Sequence, residues 1–245
     1  MAQLVELPKV SCYTTSEEEA RFIYNEIFED GCYDVPGLPD EPFLIDAGAN
    51  IGMFSIYMKQ KFPRSKIIAF EPAPETYSLL RQNLELNNCS DVETLPLGLF
   101  LEATTMKLTY FPHLPGNSSL KREEKQQLRE MVAEKRGVEV ANRRFSDSQQ
   151  VDVKLERLSN ILNNHPDFTR IDLLKIDVEG AELDVLRGLD DTHWDLVRNI
   201  ALETWDESGV RAEIESLLES KGFTVKREEA TWGKGFFMII ASRQT

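Results

Sequence analysis

Phe43-Leu44-Ile45-Asp46-Ala47-Gly48-Ala49-Asn50-Ile51-Gly52 opens on an apolar run and closes on an acidic residue followed by small ones. The run reads as a strand buried on both faces, and Asp-Ala-Gly as the turn at its carboxyl end. Downstream the pattern alternates: helix over 51–62, strand over 66–70, helix over 75–86, strand over 92–97. It resumes with a strand at 171–177, a helix at 181–186, a strand at 199–204 and a helix at 210–221. This pitch predicts βαβ units around a mostly parallel sheet, an α/β fold. Segments 224–229 and 236–242 flank Gly233-Lys234-Gly235 with no helix between them, so the chain is expected to finish in an antiparallel hairpin.

Upstream, Ala20, Ile23, Tyr24, Ile27 and Phe28 recur at helical spacing behind a Ser16/Glu19 capping box, which predicts a helix over 16–30. Between the two halves of the sheet, 116–150 is polar, with eight Lys or Arg and six Asp or Glu in a strongly acidic chain. Leu128, Met131 and Val132 give it a narrow apolar stripe, the mark of a helical lid or of a solvated helix resting on a body. The organisation expected is an N-terminal helical extension over 1–40 and one domain over 41–245 carrying a lid insertion at about 113–150.

The 245 residues suit one such domain, and 41% hydrophobic with 29% charged residues is the balance of a soluble globular protein. The longest apolar stretch, 236–241, is far shorter than the roughly 18 residues of a membrane span. Residues 1–12 show no basic segment followed by an apolar one, so a cytoplasmic location is expected. Cys12, Cys32 and Cys89 form no C-x-x-C pair and suit neither a disulfide framework nor a zinc site. A formal charge of -14 repels polyphosphates, so nucleic acid is not expected as a partner, and with no apolar span neither is a membrane. A small-molecule or carrier-bound substrate is expected instead, and nothing in the sequence speaks to oligomeric state.

The loop after the first strand lacks the third glycine of G-x-G-x-x-G, and Asp46 would repel an approaching pyrophosphate. The next strand ends in Phe70-Glu71-Pro72, where a carboxylate can accept hydrogen bonds from both hydroxyls of a ribose. Asp46 alone can be a turn residue and Glu71 alone a surface acid. At the tips of adjacent strands they ask together for an adenosine with a positive or zwitterionic tail, the description of S-adenosylmethionine, whose ammonium side Asp46 would stabilise directly or through water.

The string at 46–52, then Ala69-Phe70-Glu71-Pro72, then Leu174-Lys175-Ile176-Asp177-Val178-Glu179-Gly180-Ala181-Glu182 resembles the FkbM-type methyltransferases in three ordered blocks. The resemblance covers 43–223, including Trp194 and the strand around Glu203. It implies a class I methyltransferase Rossmann-like sheet, S-adenosylmethionine as cofactor, and O-methylation of a hydroxyl on a natural product or sugar. The stretch 13–33 is similar to methyltransferases of polyketide and mixed peptide assembly lines, which implies a polyketide or polyketide-peptide hybrid, free or carrier-bound. One departure stands out: relatives often carry histidine where this chain has Trp205.

On this reading Asp46, Gly48, Ala49, Asn50, Ile51, Glu71, Pro72 and Asp177 hold the cofactor, with Leu97 and Gly98 bordering the adenine. Methyl transfer is an in-line displacement helped mostly by alignment, and a base adds about 10²–10⁴-fold. Asp177 and Glu179 are the first catalytic candidates. Lys175 either stabilises a developing alkoxide or pairs with Asp177, whose strand face it shares. Glu203 orients the substrate, takes its proton, or forms with Asp177 a pair of oxygen ligands, although no metal is assigned. His113 reaches the substrate from the lid entrance or is a plain loop histidine. Asn117, Ser118 and Ser119 either contact the ligands or cap a helix. Two other readings compete: a nicotinamide-dependent oxidoreductase, opposed by the missing glycine and the final hairpin, and a non-catalytic cofactor-binding module, opposed by the acids at Asp177 and Glu179.

Overall fold

The computed structural model describes residues 2–165, 168–206, 209–230, 233 and 235–243. The chain begins with a short hairpin, β1 (Gln3–Glu6) and β2 (Ser11–Thr14), before α1 (Glu17–Tyr24), which continues as a π-helical turn over Asn25–Glu29. The N-terminal segment, expected to be purely helical, therefore also carries two strands too short for periodicity to announce. The sheet then builds through β3 (Phe43–Ala47), α2 (Met53–Lys61), β4 (Lys66–Phe70), α3 (Pro74–Leu86) and β5 (Glu93–Leu95).

Next come β6 (Gly98–Leu99), β7 (Thr104–Tyr110), α4 (Arg122–Arg136), α5 (Val138–Phe145) and β8 (Gln149–Glu156). The second half supplies α6 (Leu158–Asn163), β9 (Leu173–Ile176), α7 (Glu182–Arg187), α8 (Asp191–Trp194), β10 (Asn199–Trp205), α9 (Val210–Ser220), β11 (Thr224–Glu229) and β12 (Phe236–Ser242).

Seven strands form the main sheet in the order β11-β12-β10-β9-β3-β4-β5; the pairs from β10 to β5 are parallel, and β12 runs antiparallel between β10 and β11. The expected final hairpin is present, with Lys234 of its turn lying outside the described residues. The expected strand over 92–97 is shorter: it ends at Leu95, and Gly98 and Leu99 leave for a second sheet of order β6-β8-β7. That sheet is the base of the insertion, so the helical lid runs only from Arg122 to Phe145, and Gln149 and Gln150 belong to a strand. Among the described residues no helix is long and apolar enough to cross a membrane.

Alternation along the strands sends side chains to two cores. Leu44 and Leu173 face α2, α3 and the N-terminal segment, whereas Phe43, Ile45, Leu174, Ile176 and Ile200 face the helices of the second half. Ile45, Leu174 and Ile200 are fully buried, and each such side chain contributes about 1.5–3 kcal/mol. On the first face two charged residues lie among the apolar ones: Asp46 and Lys175, which are direct partners in the β3–β9 register.

The carboxyl ends of β3 and β9 cross closely. Gly48 has φ +77°, and a Cβ on it would lie 1.8 Å from the Asp177 carbonyl oxygen. A close backbone crossing, rather than the approach of a ligand, is what requires glycine here. Gly48→Ala is therefore expected to destabilise the chain by about 3 kcal/mol through clash and left-handed strain combined, read as a drop in thermal midpoint.

Candidate active site

The carboxyl ends of β3, β4, β9 and β10 converge on one side of the sheet, where open α/β sheets bind ligands. The N–H groups of Gly48 and Ala49 both donate to the Phe70 carbonyl, so the first loop is laced to β4. Asn50 follows in a left-handed conformation, φ 49°, and its N–H donates to Glu71 Oε2 at 3.0 Å. The Ala73 N–H donates to Glu71 Oε1 at 2.9 Å. Burial lifts the Glu71 carboxyl to about 7 against these two donors. Each Glu71 oxygen keeps a further lone pair, which suits the ribose hydroxyls expected there.

The other members of the expected cofactor set fall into two kinds. Ala49 and Ile51 have their side chains in the core, so only their backbone can serve a ligand. Gly98 packs on Pro72 and Leu155, since a Cβ there would lie 2.8 Å from Leu155 Cδ2 and 3.4 Å from Pro72 Cγ; the neighbouring Leu97 packs against the second core. The Asn50 side-chain oxygen is buried and has no hydrogen-bond partner among the described residues.

Asp46 departs from expectation. It is fully buried; Ser55 donates to its Oδ2 at 2.7 Å, and the Lys175 ammonium lies 3.2 Å from its Oδ1. Its charge is answered inside the protein by Lys175, although Oδ1 accepts no hydrogen bond among the described residues. Lys175 is committed as well. Its ammonium donates to the Gly48 carbonyl at 2.7 Å and stands 3.7 Å from Asp177 Oδ2. The rings of Tyr33 and Phe54 lie beside it, 5.5 and 6.0 Å from ring centroid to nitrogen. Burial alone would depress this ammonium, but Asp46 and Asp177 outweigh it and its pKa is raised. Of the two roles expected for Lys175, pairing is the one the geometry supplies.

Asp177 projects from the tip of β9, a third exposed, and accepts a 3.0 Å hydrogen bond from the Tyr33 hydroxyl. Beyond it lies a narrow cleft between the strand ends and α4, lined by Asp177, Glu179, Glu182, Glu203, Trp205 and Phe236 below and by Glu124, Lys125 and Leu128 above. Its carboxyl groups share one environment. Burial, then the charges of Asp177 and Glu179, push Glu203 well above the carboxylate range, and burial lifts Glu182 to about 7. Glu179 sits in a left-handed turn, φ 55°, and forms a close ion pair with Lys125 of the lid; its proton affinity is raised by burial against that pairing. The Ser119 hydroxyl donates to the Glu179 carbonyl, a second tie between lid and β9. Ser118 accepts from the Phe111 N–H and serves the loop itself. Among the described residues no group of His, Cys, Asp and Glu is arranged to hold a metal.

His113 does not join this cleft. Its side chain is 57% exposed and lies 3.4 Å from Asp147, so it is the loop histidine rather than a substrate contact. Trp205 stacks on Phe236 with centroids 6.0 Å apart, and both pack against the cluster of Phe111, Leu128 and Phe145. The lid stripe thus closes over an aromatic wall. No place in this site was expected for Tyr33, Lys125 or Glu19. Lys125 stands three residues before Leu128, on the same helix face, a spacing that would have placed it against the body. Glu19 does not complete the expected capping box: the Ser16 hydroxyl accepts from the Glu19 N–H, but the Glu19 carboxyl reaches the Gly116 N–H at 2.7 Å instead.

The family model for the methyltransferase FkbM domain matches residues 46–225. Methyltransferase sdnD of Sordaria araneosa is 53% identical over 250 residues, covering 99% of this chain and 96% of that protein. The 31-O-demethyl-FK506 methyltransferase FkbM of Streptomyces tacrolimicus is 32% identical, covering 86% of this chain and 84% of its own. Among solved structures, TYW2 of M. jannaschii in complex with AdoMet superposes with a TM-score of 0.51 at 10% identity, over 98% of this chain and 84% of that one, a likeness of fold. With the three motif blocks gathered on adjacent strand ends, the chain belongs to the FkbM-type methyltransferases, enzymes of the class I fold that use S-adenosylmethionine.

Proposed function

We propose that this methyltransferase acts on a hydroxyl oxygen of a small natural product, a polyketide or polyketide-peptide hybrid. The observation that carries the reading is the cluster of carboxyl groups with raised proton affinity beside the cofactor half of the site, Glu203 foremost. An alcohol must give up its proton as the new bond forms, whereas a carboxylate acceptor would be repelled by these acids. The name of the Streptomyces relative, which specifies an oxygen, supports the same reading.

The residues present suit the cofactor. Glu71 has lone pairs left for ribose hydroxyls, and to Leu97 and Gly98, just past the neighbouring strand, we assign the border of the adenine. S-adenosylmethionine supplies an electrophilic methyl group on a sulfonium. Around it, Tyr33 and Lys175 fix the Asp177 carboxylate, which orients the acceptor hydroxyl, and Glu203 takes its proton. Trp205 and Phe236 give the acceptor an apolar wall and keep water from the reacting oxygen. The Lys125–Glu179 pair and Leu128 hold α4 over the cleft, so an acceptor enters by displacing that helix. Lys121 is paired with Asp184 and Lys125 with Glu179, so these two lid lysines serve the body of the protein.

Glu71→Ala is expected to weaken binding of S-adenosylhomocysteine by at least about tenfold in isothermal titration, through lost ribose contacts and an unanchored Asn50 loop. Because Glu203 must be ionised to act and its pKa is raised by burial and by Asp177 and Glu179, kcat should climb with pH above the ordinary carboxylate range. Glu203→Gln should lower kcat by about 10²–10⁴-fold, remove that climb, and leave cofactor affinity unchanged. A climb that survives in Glu203→Gln would assign the proton to another group.

A further inference from the structure

The N-terminal segment lies outside the stretch that matches the family model, yet it delivers a carboxyl group to the cofactor side of the cleft. Glu19, in the first turn of α1, is only 7% exposed. Its Oε1 accepts the Gly116 N–H, and a Cβ on Gly116 would meet that oxygen at 2.8 Å and the Asn50 amide nitrogen at 3.0 Å. The ends of Glu19 and Asn50 therefore converge on one glycine, beside the loop that Glu71 anchors. Asn50 holds its side chain there from a left-handed backbone and buries an amide oxygen that nothing among the described residues satisfies.

Glu19 Oε1 and the Asn50 amide meet at this glycine, the amide with its nitrogen turned to it and its oxygen buried without a partner. A half-turn of that amide brings the oxygen to the same point, and with no cation within ion-pair distance of Glu19 among the described residues the two can receive a cation that the protein itself does not provide. Asp46, fully buried, already has the Lys175 ammonium as its counter-charge.

We propose that Glu19 and the Asn50 side-chain oxygen receive the α-ammonium of the methionyl end of S-adenosylmethionine, an inference that rests on the cofactor reading above. The ammonium offers three donors, and the pair supplies a charge-assisted acceptor and a neutral one. Gly116 belongs to the same receptor, since any side chain there would occupy the space between them. Burial, partly offset by the Gly116 hydrogen bond, lifts the free carboxyl to about 8. At neutral pH Glu19 is thus largely protonated until a cation arrives. Binding the ammonium ionises it, and its proton leaves to solvent.

The test titrates S-adenosylhomocysteine and 5′-methylthioadenosine, which lacks the amino-acid end, into the whole chain at pH 7 in two buffers of different ionisation enthalpy. The wild-type chain is expected to release a proton with the first ligand and not with the second. Glu19→Gln, which keeps an acceptor for Gly116, should weaken S-adenosylhomocysteine about ten- to a hundredfold, abolish that release, and leave methylthioadenosine within twofold. Asn50→Gly, which keeps the left-handed turn, should show the same selectivity with a smaller loss. Equal weakening of both ligands, or unchanged binding of S-adenosylhomocysteine in Glu19→Gln, would overturn the assignment. A wild-type chain that binds neither ligand would instead remove the cofactor reading, and this proposal with it.

Discussion

One ammonium holds the site together. Lys175 lies on a strand buried on both faces, and an uncompensated charge there costs several kcal/mol. Its partners therefore cannot drift: Asp46 on the neighbouring strand, the Gly48 carbonyl on the following loop, and Asp177 two residues along its own strand. Tyr33 and Phe54 complete the cage with their rings, and Tyr33 returns a hydrogen bond to Asp177. The cofactor loop, the strand that carries the acids and the N-terminal segment are thereby fixed to a single atom. Gly48 is obligatory in that arrangement, because the Asp177 carbonyl passes where a side chain would begin.

The two halves of the site follow different physical rules. The cofactor half is made of backbone and of carboxyls whose partners are backbone N–H groups, as at Glu71, so it is shaped before any ligand arrives. The acceptor half is made of acids that raise one another's proton affinity and a lid tied to them through Lys125 and Ser119, so its charge changes with protonation and with the position of α4. A chain of net charge -14 tolerates such a cluster because burial keeps part of it neutral.

The sheet could be read from the sequence because most of its strands are apolar runs bounded by small residues; Lys66–Phe70 and Phe236–Ser242 stand where the pattern places them, and the polar edge strand Thr224–Glu229 where the hairpin turn places it. The base of the insertion was legible in principle: Val151, Val153 and Leu155 alternate with Gln150, Asp152 and Lys154, and Met106, Leu108 and Tyr110 alternate likewise, the period of half-exposed strands. The charged stretch between them obscured it. Motif positions gave the acids of the site but not their partners, because partners come from tertiary register. Asp46 meets Lys175 only once β3 lies beside β9, and Glu19 meets Gly116 across most of the first half of the chain. His113 stands outside the cleft for the converse reason: its residue type suited the chemistry, whereas its place on an exposed loop beside Asp147 comes from the tertiary structure.

The neck of the insertion carries a further consequence. Tyr110 and Gln149 are cross-strand partners, so the chain departs and returns at one rung of an antiparallel ladder that lies outside the main sheet. Closing a longer or shorter excursion at that rung changes the loop entropy by only about 0.6 kcal/mol per doubling of length. The helical part of the roof, residues 120–148, can therefore be exchanged as a cassette to suit a new acceptor, while Gly116 and the strands that grip the methyl donor keep their places.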